Sequence, residues 1–92
     1  MSYTIINNKE AGRFEILLDN GKVAYEQYQV SGNKITFIGN YVPPEYRNRG
    51  IAAEIAKHAF EYAKTNNLKV AILCPYILDY SHKHPEYKSL LI

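Results

Sequence analysis

The sequence predicts an α+β fold in which an antiparallel meander runs into a β-α-β unit and a short C-terminal helix. Three observations carry that expectation. The N-terminal half alternates short strand-like runs with turns built on Gly and Asn. After Gly50 the apolar spacing becomes helical, with Ala52, Ile55, Ala56, Ala59, Phe60 and Ala63 on one side. A wholly apolar run, Val70-Ala71-Ile72-Leu73-Cys74, then follows. The 92 residues suffice for one core, so residues 1–92 read as a single domain without room for a separate substrate domain.

Taken in order, Tyr3 to Asn7 is the first candidate strand and Arg13 to Leu18 the second. Asp19-Asn20-Gly21 closes the second, because an Asn-Gly pair suits a tight hairpin that needs positive φ. Val23 to Val30 returns antiparallel, Ser31-Gly32-Asn33 turns again, and Lys34 to Val42 is a fourth strand. It stops at Pro43-Pro44, since proline cannot donate to the ladder. Gly50 to Thr65 is an amphipathic helix with Glu54, Lys57, His58, Glu61 and Lys64 largely on its polar side, ended by Asn66-Asn67. Val70 to Cys74 is a strand expected to be covered on both faces, stopped by Pro75, and Tyr80 lies on the short terminal helix. The crossover makes the fourth and fifth strands parallel and brings their carboxyl ends to one edge. Val42, the helix start at Arg49-Gly50-Ile51, and Cys74 with Tyr76 then share a crevice of the kind in which open α/β sheets bind ligands.

The segment Arg47-Asn48-Arg49-Gly50-Ile51-Ala52 opens the helix against ordinary preference, because a helix N-terminus favours acidic residues. Gly inside a first turn costs about 1 kcal/mol relative to Ala. Both choices are rational if an anion approaches the free N–H groups, with Gly50 clearing room and the arginines adding charge. The alternative is that Gly50 relieves crowding beneath the helix while Arg47 and Arg49 extend into solvent.

Composition bounds what such a site serves. The chain is 47% hydrophobic and 22% charged, and its net charge of +2, with no run of lysines, is too small to imply nucleic acid or a membrane as partner. Nine tyrosines against three phenylalanines and no tryptophan favour groove-lining surfaces with an apolar body and a polar tip. The lone Cys74, an N-terminus without an apolar leader, and the lack of a stretch of about 20 apolar residues make the cytoplasm the expected location. A monomer or weak dimer is expected. His82 and His84 are two apart with no third histidine nearby, so no metal site is expected, and no Gly-rich loop follows the first strand to suggest a dinucleotide fold.

Arg47-x-x-Gly50-x-Ala52, between a strand and an amphipathic helix, resembles the pyrophosphate loop of the GNAT superfamily of acetyl-CoA-dependent N-acetyltransferases. Cys74-Pro75-Tyr76, Tyr80 and His84-Pro85-Glu86-Tyr87 resemble a minimal GNAT-like subfamily of about this length, the likeness running from Lys34 to Tyr87. Two departures stand out. Gly39-Asn40 occupies the place of the subfamily's His-Thr, and Asn48 the place of a common loop glycine. The superfamily's two helices after the first strand give way to a tight turn and its final hairpin is missing, so the acceptor side should be open.

The resemblance implies transfer of an acetyl group from acetyl-CoA to an amine on a small molecule or protein. Backbone N–H groups of Arg49, Gly50, Ile51 and Ala52 would hold the pyrophosphate, with Arg47 and Arg49 near its charge. Pantetheine would run along Asn40, Tyr41 and Val42, where a strand-edge N–H would stabilise the oxyanion and Gly39 would bend the chain to expose it. Tyr80 would protonate the leaving thiolate. Its alternative is a packed aromatic.

Cys74 is either a nucleophile needing activation, since an unperturbed thiol near pKa 8.5 is only about 3% ionised at pH 7, or a buried small hydrophobe. Direct attack by the amine needs a base, for which His82, His84 and Glu86 are candidates. Readings of a coenzyme-binding module with little catalysis, or of an interaction domain meeting an acidic partner, stand beside the transferase.

Overall fold

Strands β1 (Ile6–Asn8), β2 (Arg13–Leu17), β3 (Val23–Ser31), β4 (Lys34–Tyr41) and β5 (Lys69–Ile72) lie side by side in one sheet in that order, in a computed structural model that describes residues 3–92. The first three pairings are antiparallel and β4 with β5 is parallel. Helices α1 (Ile51–Thr65) and α2 (Pro75–Lys83) and two 3-10 turns, Pro44–Tyr46 and Pro85–Leu90, complete the chain. The meander, the β-α-β crossover and the terminal helix are those the sequence predicts.

The turns follow from local chemistry. At Asp19-Asn20-Gly21 only Gly21 takes positive φ, at 82°, and Asn20 Oδ1 accepts the Lys22 N–H at 2.9 Å. This is a loop with one left-handed glycine rather than a turn with two positive-φ residues. It places Phe14, Ile16 and Leu18 on the buried face of the hairpin, with Ala24, Glu26 and Tyr28 beside them. Ile35 and Phe37 of β4 extend that face. Against it α1 buries Ile51, Ile55, Ala56, Ala59, Phe60 and Ala63, three alanines letting the helix axis approach the sheet closely. Phe60 stacks on Tyr87 at 4.8 Å and on Tyr80 at 5.9 Å between ring centroids, joining the C-terminal segment to the core.

Strand β5 differs from expectation. It ends at Ile72, and only Val70 within it is fully buried, while Leu73 is 69% exposed. The run is apolar because Val70 and Cys74 enter the core, and because Leu91 bridges Val70 along the outer edge and the Ile92 N–H bonds to the Val70 carbonyl at 3.0 Å. The C-terminus thus covers part of an edge that would otherwise be open.

Two irregularities shape the carboxyl end of the sheet. The register of β3 on β4 slips by one between Gln27↔Gly39 and Tyr28↔Phe37, leaving Ile38 as a bulge beside the glycine expected to bend the strand. The β4–β5 ladder stops at Phe37–Ile72, where the Leu73 and Cys74 N–H groups share the Phe37 carbonyl at 2.8 and 3.0 Å. Beyond that point the two strands diverge.

Candidate functional site

Where β4 leaves β5, a cleft of about 460 Å³ opens, lined by Asn40, Tyr41 and Val42 of the strand end, by Tyr46, Arg47, Asn48 and Gly50 of the loop, by Ile51, Ala52 and Ala53 of α1, and by Tyr76 of α2. Of the residues expected to hold a cofactor, all but Arg49 line it. Tyr46 and Ala53, which also line it, were not singled out from sequence, and Ala53 follows simply from extending the loop one residue into the helix.

The loop is fastened from outside. Pro43 is fully buried, the Tyr46 N–H bonds to the Pro43 carbonyl at 2.9 Å, and the Tyr46 hydroxyl donates to Asp19. The Lys22 ammonium meets Glu45 at 2.9 Å, which lowers the Glu45 carboxyl below its ordinary range. Arg47 turns back, its Nε donating to the Val42 carbonyl at 2.9 Å, and the Arg49 guanidinium lies over the Tyr46 ring at 4.9 Å. Among the described residues neither arginine meets a carboxylate.

Gly50 is the N-cap of α1 and not a first-turn residue, with φ 79°. The helix-interior penalty expected for it therefore does not apply, since glycine is well accepted at an N-cap. The crowding alternative also falls: a Cβ on Gly50 would meet nothing within 4 Å. What demands glycine is the left-handed backbone, and Asn48, at φ 63°, adopts the same region as the non-glycine residue that best tolerates it. Alternation of positive and negative φ turns successive N–H groups toward one concavity. The first helical bond runs from the Glu54 N–H to the Gly50 carbonyl, and no side chain caps the helix. The N–H groups from Asn48 to Ala53 consequently have no acceptor among the described residues.

Cys74 lies at the foot of α2 as its N-cap, fully buried. Its Sγ is 3.5 Å from Glu26 Oε1 and 3.6 Å from Asn40 Oδ1, so it sits beneath the cleft floor that Asn40 forms. Burial raises the thiol above its usual range, the N–H groups of Ile77 and Tyr76 oppose that, and Glu26 adds to it. Glu26 itself is 1% exposed, and burial pushes its carboxyl up to about 8 against the lowering effect of Cys74 and the Gly39 N–H. Sequence reasoning missed Glu26. The signal was there: it occupies the inward position between Ala24 and Tyr28, where an apolar residue belongs.

Tyr80 is 7% exposed and stacks on His84 at 4.0 Å, burial raising its phenol; it does not line the cleft. Tyr76, half-buried, does. His84 Nδ1 is 3.3 Å from Glu86, an exposed carboxylate held low by its own backbone N–H and by His84, and His82 is exposed. No set of metal-ligating side chains gathers among the described residues.

The sequence profile of GCN5-related N-acetyl-transferases matches residues 13–90. The chain belongs to that family. Its likeness to a GCN5-like protein from Staphylococcus aureus solved by NMR covers 100% of this chain and 91% of that one, with a TM-score of 0.76 and 25% identity. Protein NATD1 of Gallus gallus and of Mus musculus is 36% identical over 59 residues, 63% of this chain and 54% of theirs. The Homo sapiens protein is equally similar over 52% of its length, so the match spans about half of these curated relatives. In this GCN5-related chain the five-stranded mixed sheet has a tight turn, Lys9 to Gly12, between β1 and β2. A second, shallow groove of about 420 Å³ opens on the outer face beside Arg13, Lys22, Val23, Tyr25, Tyr41 and Pro43, and Tyr41 lines both. No helix among the described residues is long and apolar enough to cross a membrane.

Proposed function

We propose that residues 1–92 form one acyltransferase domain that binds acetyl-CoA in the cleft and transfers its acetyl group to an amine. The observation that carries this reading is the run of backbone N–H groups from Asn48 to Ala53 without acceptors among the described residues, opening onto a cleft that continues along the end of β4. The residues present fit a diphosphate: donors at a helix N-terminus, open space where Gly50 would carry a side chain, and two guanidinium groups without carboxylate partners among the described residues.

When bound, acetyl-CoA supplies an acyl thioester with an electrophilic carbonyl carbon. Arg49, Gly50, Ile51 and Ala52 hold the anion through their N–H groups, while Asn48 keeps the loop in its left-handed turn and Arg47 braces it against Val42. The open edge of β4 at Asn40, Tyr41 and Val42 guides the pantetheine toward Cys74. An unpaired N–H on that edge supports the oxyanion, a contribution worth about 3 kcal/mol in other acyl-transfer enzymes. The acid for the leaving thiolate is a tyrosine of α2. Tyr80 holds that role by its likeness to the superfamily and Tyr76 by its position in the cleft wall. A free, reduced Cys74 suits the cytoplasm.

Titration with acetyl-CoA, CoA and sodium sulfate tests the binding step. Coenzyme binding at least about 100-fold tighter than sulfate is expected, because sulfate takes only the anion donors. Equal weak binding of all three would identify the loop as an acidic-partner contact instead. Turnover with a panel of amines then separates a transferase from a binding module. Of the variants Tyr76→Phe and Tyr80→Phe, the one lacking the acid should lose kcat by about 100-fold with CoA affinity intact.

A further inference from the structure

Glu26 is a buried carboxyl without a cationic partner among the described residues. Oε1 lies 3.5 Å from the Cys74 sulfur and Oε2 has no hydrogen-bond partner among the described residues, an arrangement that costs stability and that an apolar side chain at this inward position of β3 would avoid. What faces it is specific. From the β5–α2 junction the titratable group is Cys74, with the Tyr76 phenol beyond it at the cleft wall. From β4 come Asn40, its cross-strand partner, and the Gly39 N–H, neither of which titrates. Among the described residues no ionisable group of β2 or α1 acts on it. Asn40 contacts the sulfur, lines the cleft and is exposed, so the thiol lies directly behind a side chain that faces the cleft. The N-terminal amides of α2, at Tyr76 and Ile77, face the same sulfur and favour its ionised form.

We propose that Glu26 is the proton acceptor that makes Cys74 a nucleophile, so that the acetyl group passes through Cys74 on its way to the amine. The proposal rests on the coenzyme reading above. In the first half, Glu26 takes the thiol proton as Sγ attacks the thioester carbonyl carbon. The bond from that carbon to the coenzyme sulfur breaks, and the departing thiolate takes its proton from the α2 tyrosine, the tyrosinate then being reprotonated at the expense of the Glu26 carboxylic acid. In the second half, a neutral acceptor amine attacks the acetyl carbon, the carbon–Sγ bond breaks, and the amine's proton passes by way of Glu26 to the Cys74 sulfur. The protein ends as it began, and no oxidant or further reactant is consumed.

The test starts with calorimetry of CoA binding. A native protein that fails to bind overturns the coenzyme reading itself and this proposal with it. If it binds, acetyl-Cys74 formation is followed by intact-mass spectrometry in a single turnover with acetyl-CoA between pH 6 and 9.5. The expected rate rises with pH and levels off above about 8, where Glu26 has lost its proton. Glu26→Gln should slow acetylation by about 100-fold at pH 8 and abolish that titration while CoA affinity stays put. In a Cys74→Ala background the same change should cost nothing further in amine acetylation. No adduct on Cys74 in the coenzyme-binding native protein, or an unaltered pH profile in Glu26→Gln, overturns the proposal. The native profile alone keeps it testable should the variant fail to fold: a rate independent of pH across that range would also overturn it.

Discussion

Gly50→Glu is expected to weaken acetyl-CoA binding by at least about 100-fold while the protein stays folded. The new carboxylate would project into the space that is empty around a Gly50 Cβ. There it competes with the phosphates for the N–H groups of Ile51 and Ala52. A unit negative charge about 5 Å from a phosphate charge costs about 3 kcal/mol at an effective dielectric of 20, which is a little over a hundredfold in affinity. The fold pays less. A non-glycine residue at φ 79° costs roughly 1–2 kcal/mol, and an acidic group at the N-terminus of α1 returns up to about 1 kcal/mol. Gly50→Ala separates the two effects, because it carries the same backbone strain without charge. Calorimetry should find Ala within about tenfold of the native affinity and Glu far below it, with the gap narrowing as salt is raised. Equal losses in the two variants would mean that the loop's shape, and not its charge, governs binding, and unchanged affinity in both would remove the loop from the site.

The sequence was legible wherever a single residue type has one physical use. Gly21 and Gly32 take positive φ at the turns where they were expected, Pro43 and Pro44 end β4, and the 3.6 period gives α1 to within one residue of its ends. Gly50 shows the limit of such reading. A shift of one position turns a supposed first-turn glycine into an N-cap, and the argument from helix propensity gives way to one from φ. The unpaired N–H groups on which the loop proposal rests depend on the helix starting there, whatever the exact first residue. The floor of the cleft was harder. Cys74 meets residues 48 and 34 positions away in sequence: Glu26 and Asn40 are partners across β3 and β4, and the passage of the chain from β5 into α2 sets Cys74 against them. Local pattern fixes which face of β3 a residue occupies but not what crosses over it. The acidic residue between Ala24 and Tyr28 is, like the cationic helix start, a departure from pattern visible in the chain, and it marks a strongly perturbed buried carboxyl.

That environment carries the second large effect. Stability should fall as pH rises from 5 to 8, and Glu26→Gln should remove most of the fall. The sign follows from the direction of the shift. Unfolded, Glu26 loses its proton near the ordinary carboxylate value of 4.5, whereas folded it keeps it to about 8. Between those values the unfolded state binds fewer protons than the native state, so each unit of pH favours unfolding by up to about 1.4 kcal/mol. By pH 7 the accumulated loss is about 3 kcal/mol, enough to move Tm by on the order of 10 °C in a domain of this size. The other displaced carboxyls act elsewhere: Glu45 and Glu86 are lowered, so their contributions are present above the ordinary carboxylate range and are lost only in more acidic solution. Calorimetric scans of the native and Glu26→Gln proteins across this window give the comparison directly, since any change common to both cancels. The variant should be the more stable of the two at pH 8 and lose that advantage at pH 4. Parallel curves would show that the carboxyl ionises in the folded protein as readily as in water, and the proton transfer assigned to it would lose its basis.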